Sequence, residues 1–416
     1  MITIKDSVHD HIEVEGVGAA LLDTPPVQRL RRVSQLGTAS LVYPSANHTR
    51  FEHSLGVYAL ATRALENLEI RGLDARTVRA AALLHDVGHA PLSHTIEELL
   101  SVRTNRYHDD VAHLIEDGEI ASVLEDHGVD PDRVAGLIAG EEQLGQLLAD
   151  ELDVDRMDYL VRDAHHTGVP YGTIDVERLL RALRFVDGDL ALAEGNVQTA
   201  ESLLVARALM NPTVYNHHVA RISKAMLQRA TFRLLESGAA TAGEVARMDD
   251  PAFRVALRDV DGAAPLARRL ADRRLYKRAI WAEYGDVGEN RASSLLEAEP
   301  EAVRETEAEI ADRAGVAIDE VLLDVQGPPT MQESTTKVTV NGEIRELTDQ
   351  STLVRALERV QLEQWRLGVY APAELSEAVG QAAAAILGLD IENGRIAETD
   401  SPGRYTSLAD FRGGTR

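Results

Sequence analysis

The sequence predicts a mainly α-helical protein with a smaller α+β region toward its C-terminal end. Three observations predict it. Apolar residues recur at helical spacing through most of residues 25–235. Proline and glycine fall at the ends of these runs, where helices start and stop. Strand-like segments and a hairpin signal stand apart, between residues 321 and 347.

Residues 25–38, PPVQRLRRVSQLGT, begin with proline at a helix start and reach Gly37 as a C-cap. Within 50–69, Leu55, Tyr58, Leu65 and Leu68 share one helical face. The next helix covers 75–89 and ends before Pro91, because a residue preceding proline is disfavoured in the α region. Helices are expected at 106–116, 131–139, 143–164, 175–185 and 196–235. A separate region follows from about residue 236, with helical patterns at 243–257, 263–283 and 299–314. VLLDVQGPP (321–329) and TKVTVNGEIREL (336–347) read as strands, the second folding back at Asn341-Gly342. Helices resume at 349–367 and 373–388, and the Gly- and Ser-rich tail from Glu392 is expected to be mobile.

A chain of 416 residues is too long for one small core, so two domains are expected, 1–235 and 236–416. The second is given an oligomerisation or regulatory role. No stretch of about 18 apolar residues occurs, and the polar N-terminus lacks a signal-peptide core, so a cytoplasmic protein without membrane contact is expected. Cysteine is absent, which excludes disulfides, thiolate nucleophiles and sulfur-ligated zinc. Net charge is −25, and Lys5, Lys224, Lys277 and Lys337 are the only lysines. We read the acid excess as a solvated surface suited to a high-salt, halophilic cytoplasm. No basic stripe exists for a nucleic-acid surface.

The chemistry concentrates in AALLHDVGHAPLSH (81–94), where an apolar run delivers His85 and Asp86, then His89 and His94. Burying metal-capable side chains unpaired costs several kcal/mol. With His53 and Asp155 the chain holds enough nitrogen and oxygen donors for one divalent ion, although spacing alone does not bring them together. Manganese, iron, zinc and magnesium all suit such donors. A second cluster, DELDVDRMDYLVRDAHH (150–166), places Arg156 and Arg162 beside Tyr159 and Asp163 on a half-buried helix. In an acidic protein these arginines, with Arg50 and Arg207, are the cations available to a phosphate substrate. The donor set therefore reads as a metal-dependent phosphohydrolase. HDVGH imitates the HExxH metalloprotease helix, but Asp86 is shorter than the glutamate base that site needs. No P-loop motif occurs.

These residues resemble the HD-domain phosphohydrolase superfamily and, within it, the deoxynucleoside triphosphate triphosphohydrolases, dGTPases included. The matching blocks are DTPPVQRLRRVSQLG (23–37), RFEHSLGVYALA (50–61), HDVGHAPLSH (85–94), DVDRMDYLVRDAHHTGV (153–169) and RRLYK (273–277). The resemblance implies a helical HD core over 1–235 that hydrolyses a deoxynucleoside triphosphate to deoxynucleoside and triphosphate. It makes His53, His85, Asp86 and Asp155 the metal ligands. His89, His94 and His108 become the active-site histidines, with Asp109 as their acidic partner. Arg50, Arg156 and Arg207 then contact phosphate; Gln35, Leu36, Tyr159, Asp163 and Tyr215 hold deoxyribose and base. Asn216 stands where the animal relatives carry glutamine. Asp23, Gln28 and Arg31 match part of a nucleotide activator site, although Ile2 and Thr3 replace the residues that complete it. Homo-oligomers, dimeric or tetrameric, are also implied. The rival functions are hydrolysis of a cyclic dinucleotide, guanosine tetraphosphate or a nucleoside monophosphate, and a non-catalytic nucleotide sensor.

Overall fold

The computed structural model describes residues 1–283, 300–327 and 335–389, together with 286–287, 295, 298, 391–392 and 395–396. The fold is mainly helical, with small sheets. Most of the tail expected to be mobile lies outside the described residues. Two compact units are present, 1–275 with 330–359, and 276–329 with 360–416. The division thus differs from the expected boundary at 235. Residues 236–275 stay with the first unit because Asp250 binds back to it, through Ser34 Oγ (2.5 Å) and the Leu92 N–H (2.7 Å).

The first unit opens with an antiparallel hairpin, β1 (Ile2–Asp6) and β2 (Asp10–Val14), in a segment read from sequence only as polar. The central helix, α1 (Arg50–Asn67), starts where the Glu52 carboxylate accepts the Thr49 N–H at 2.6 Å, satisfying one orphan donor of the helix start. Helix α2 (Gly72–Leu84) packs beside it, and both bury Leu, Val and Ala on almost every face. Helix α2 ends at Leu84, before His85, earlier than its apolar pattern implies. A two-residue left-handed turn at Leu92 (φ 59°) and Ser93 (φ 56°) follows Pro91, and then α3 (Glu97–Thr104). The helix expected at 106–116 survives only as Ala112–Ile115. Likewise, the helix expected at 25–38 stops at Arg32, since Gln35 N–H bonds to the His48 carbonyl and Arg50 N–H to Val33.

Helix α4 (Val154–Thr167) begins at Asp153, whose carboxylate accepts the Arg156 N–H at 2.7 Å, and ends at Gly168 in the left-handed region. The long helix expected at 196–235 is divided. Helix α5 (Val197–Met210) runs into one π-helical turn, Asn211–Tyr215, before α6 (His218–Glu236). Pro212 explains the division, because it lacks the N–H that would continue the α-helical ladder. Helix α7 (Asp250–Arg258) follows. A four-stranded sheet completes the unit, in the order β3 (Leu183–Val186), β4 (Asp189–Leu192), β7 (Lys337–Val340), β8 (Glu343–Glu346). Its β7–β8 turn is the expected Asn341-Gly342 pair, with φ of 53° and 80°.

The second unit is a three-stranded antiparallel sheet, ordered β5 (Lys277–Glu283), β9 (Arg366–Ala371), β6 (Leu322–Val325). Helices α8 (Pro300–Ala314) and α9 (Ser376–Leu387) pack on it. Alternate residues Leu367, Val369 and Ala371 join Ile310, Ala383 and Leu387 in its core. Strand β5 occupies part of a run that reads as helix from sequence. Ile280 and Ala282 face the core at strand period, and the run is too short for its period to be told from a helix.

Candidate active site

Three elements of the first unit bring the expected donors together. His53 sits one turn into α1, fully buried; His85 and Asp86 occupy the turn after α2; Asp155 lies in the first turn of α4. Helix α2 ends at Leu84, but His85 keeps helical dihedrals (φ −55°, ψ −33°), so it is the side chains of His85 and Asp86 that reach toward a common point. His53 Nε2 lies 2.8 Å from Asp155 Oδ1, 3.4 Å from His85 Nε2 and 3.8 Å from Asp86 Oδ2. His85 Nε2 lies 3.3 Å from Asp86 Oδ1 and 3.9 Å from Asp155 Oδ1. Donors on a common cation with bonds of about 2.1 Å stand about 3–3.4 Å apart, so the set fits one divalent ion. The outer nitrogens agree. His53 Nδ1 faces Asp158 Oδ2 at 2.7 Å, and His85 Nδ1 faces the Ala82 carbonyl at 2.8 Å, which leaves both Nε2 atoms their lone pairs for metal.

Electrostatics point the same way. Burial opposes a charge on His53, but Asp155 and Asp158 outweigh it and pull the imidazole up to about 10. Burial would raise Asp86, yet Arg50 beside it, then His85 and His89, hold it well below the usual carboxylate range. Asp86 therefore stays ionised and offers its oxygens as donors.

Beside it stands a histidine triad. The His89 and His108 rings stack at 4.2 Å, with His94 edge-on at 4.7 and 4.8 Å. The acid that holds His94 and His108 is Glu97 on α3, which the sequence reading missed. Its Oε2 lies 2.7 Å from His94 Nδ1 and its Oε1 2.5 Å from His108 Nδ1. Asp109, expected in that role, lines the cleft instead. The available signal was the spacing from His94 to Glu97, which lets both groups face the turn that leads into α3. Burial works against charge on His108, and Glu97 overcomes it and raises the imidazole. His89 is driven well below its ordinary value by burial and then by Arg50, so it stays neutral. Gly88 makes the arrangement possible, since a Cβ there would meet the His108 carbonyl oxygen at 2.2 Å.

Of these groups His85, Asp86, Asp155, His94 and His108 line a cleft of about 540 Å³, whose lining does not include His53, His89 or Glu97. The expected Gln35, Leu36, Arg50, Arg156, Tyr159, Asp163, Arg207 and Tyr215 line it too. Three depart from simple expectation. Arg50 is bound to Asp86 at 3.0 Å and to Ser93 Oγ at 2.8 Å, so it serves the metal cluster as well as the cleft. Arg156 is held by Asp153 at 2.5 Å and by the Asp150 carbonyl. Asn216 does not line the cleft; its N–H closes the π turn on Asn211 at 2.7 Å. That turn carries Tyr215, whose hydroxyl donates to Asp163 Oδ2 at 2.9 Å, while His48 Nε2 meets the other oxygen at 2.8 Å. Of the activator candidates, Gln28 and Arg31 bond to each other at 3.0 Å, and the Arg31 guanidinium stacks 3.6 Å above the Phe51 ring. Asp23 is exposed at the end of the preceding helix.

Comparison with known proteins agrees with this geometry. Residues 50–163 match the HD domain, and residues 174–398 match the HD associated region. An uncharacterized protein of Methanocaldococcus jannaschii, MJ1154, is 31% identical over 90% of this chain and 80% of its own length. The deoxynucleoside triphosphate triphosphohydrolase SAMHD1 of Homo sapiens is 31% identical over 55% of this chain, a match that spans 44% of the human protein. The crystal structure of a hypothetical protein from Aquifex aeolicus superposes with a TM-score of 0.75 at 28% identity, covering 92% of this chain and 99% of that one. Among the described residues no helix is long and apolar enough to cross a membrane.

Proposed function

This chain belongs to the HD-domain phosphohydrolase superfamily, a metal-dependent group, and we propose that its cleft hydrolyses deoxynucleoside triphosphates, dGTP among them, to deoxynucleoside and triphosphate. The observation that carries the reading is the meeting of two groups at one cleft, His85, Asp86 and Asp155 with His53 against them, and His94 and His108 on Glu97, together with Arg50, Arg156 and Arg207. His53, His85, Asp86 and Asp155 would hold a divalent ion, which would supply Lewis acidity and make water more acidic than in bulk. Arg50, Arg156 and Arg207, all lining the cleft, neutralise phosphate oxygens. The Glu97-bound histidines His94 and His108 carry the proton that the departing 5′ oxygen takes. The Tyr215 ring, fixed on Asp163, crowds the 2′ position and favours a deoxyribose. The exposed Gln28–Arg31 pair is part of the same proposal as a piece of an activator site for a second nucleotide.

The test is chromatography of the products from each dNTP with Mn²⁺ or Mg²⁺ at high salt, with and without an added guanine nucleotide. Deoxynucleoside with intact triphosphate is expected. Release of orthophosphate or pyrophosphate without triphosphate refutes attack at the α-phosphorus. Turnover of a cyclic dinucleotide, guanosine tetraphosphate or a monophosphate in place of dNTPs assigns the cleft to another branch of the superfamily.

A further inference from the structure

Behind the metal donors lies a second layer of charge that is wholly buried and reaches the N-terminal hairpin. Asp158, with no exposed surface, directs Oδ2 at His53 Nδ1 (2.7 Å) and at Arg162 Nε (2.9 Å). Its Oδ1 meets Arg162 Nη2 (3.0 Å) and His9 Nε2 (2.5 Å). Arg162 is also fully buried and continues to Asp6 Oδ2 at 2.8 Å. Asp6 in turn accepts the Val8 and His9 N–H groups at 2.9 and 2.8 Å, shaping the β1–β2 turn so that His9 points inward. Gly56, one turn beyond His53, leaves the room: a Cβ there would stand 1.9 Å from Asp158 Oδ1.

We propose that the N-terminal hairpin is part of the metal centre, with His9 a positioning residue that acts through Asp158 on the metal-facing nitrogen of His53. Each Asp158 oxygen holds two donors, so the carboxylate has one orientation, and that orientation fixes the ring plane and tautomer of His53. Without His9, Oδ1 keeps only an arginine contact, and Asp158 is free to turn toward Arg162. His53 then loses the partner that aims its Nε2. Partners of metal-bound histidines typically alter metal affinity about 10–100-fold when removed, and His9 stands one bond further out. The inference rests on the metal reading of His53, His85, Asp86 and Asp155, and not on the identity of the nucleotide.

The experiment is calorimetric titration of Mn²⁺ into the full-length, chelator-stripped protein and two variants. His9→Phe keeps ring volume and removes the donor. His9→Gln gives up the ring and keeps an N–H for Asp158. The expected result is a Kd about tenfold higher for His9→Phe and within about threefold of wild type for His9→Gln. Melting of each stripped protein shows that it is folded at the titration temperature; should His9→Phe not fold, His9→Ala, which admits water in place of the ring, makes the same comparison. A hairpin that merely braces the core lowers the melting temperature and leaves Kd within twofold, and that result overturns the proposal. A wild type that binds no Mn²⁺ refutes the metal centre itself, which is a different outcome. Neither depends on dNTP turnover.

Discussion

Glu97 Oε1 lies 2.5 Å from His108 Nδ1, and the same carboxylate reaches His94 with its other oxygen. One acid therefore orients two imidazoles that open on the cleft. Glu97→Ala should lower kcat for dNTP hydrolysis by about 10²-fold or more, with a smaller change in KM, because the loss falls on proton transfer. Asp109→Ala should cost far less. Steady-state turnover of both variants checks the assignment; equal losses in the two would return Asp109 to the role.

The same pair sets a pH dependence of stability. Burial would raise Glu97 above its ordinary 4.5, but the hydrogen bonds from His108 and His94 hold it well below. Its contribution is complete above pH 4.5 and is lost as pH falls toward the depressed value. His108 is raised above its ordinary 6.5, so its contribution is complete below pH 6.5 and fades as pH climbs through the raised value. Urea unfolding from pH 3 to 9 should show both slopes in the wild type and a flatter profile in Glu97→Gln.

Metal removal should destabilise the first unit. Chelation removes the ion that Asp86, Asp155 and the two histidines would share, and binding at 100-fold over Kd stabilises by about 2.7 kcal/mol. Thermal melts with and without EDTA are expected to differ by several degrees, and Asp86→Asn should melt at the same temperature in both. A wild-type melt indifferent to EDTA would count against the site.

Gly56→Ala places a methyl on the Asp158–Arg162 pair, where the new carbon would lie 2.5 Å from Arg162 Nη2. Overpacking of this kind costs about 1–3 kcal/mol. Here the displaced groups are buried charges, so a value at or above the top of that range is expected in urea denaturation. A change below about 0.5 kcal/mol, as at an ordinary surface position, would show that the pair can move.

Tyr215→Ala should raise the ratio of ribonucleotide to deoxyribonucleotide turnover about tenfold or more, since under the proposed function the ring fills the 2′ space. Tyr215→Phe keeps the ring and loses only the bond to Asp163. Its ratio should stay near wild type. The kcat/KM ratios for dGTP and GTP decide between a steric role and a hydrogen-bonding one.

Much of this protein was legible from sequence by itself. Helical periodicity located α1 and most of α8 and α9, because a helix declares its buried face every three or four residues. Asn341-Gly342 declared its hairpin, because only a few residue types accept two successive left-handed positions. His53, His85, Asp86 and Asp155 were identifiable as donor types. Their approach, with His53 and His85 each within 4 Å of Asp86 and Asp155, was decided by packing. Glu97, His9 and Asp158 were out of reach for the same reason. A charge shows in the sequence only as a residue type, whereas its role depends on which distant side chain shares its burial. Strand β5 gives the backbone version of that lesson. Local pattern there is compatible with helix, and the tertiary structure, by requiring every buried N–H and carbonyl to find a partner, chose otherwise.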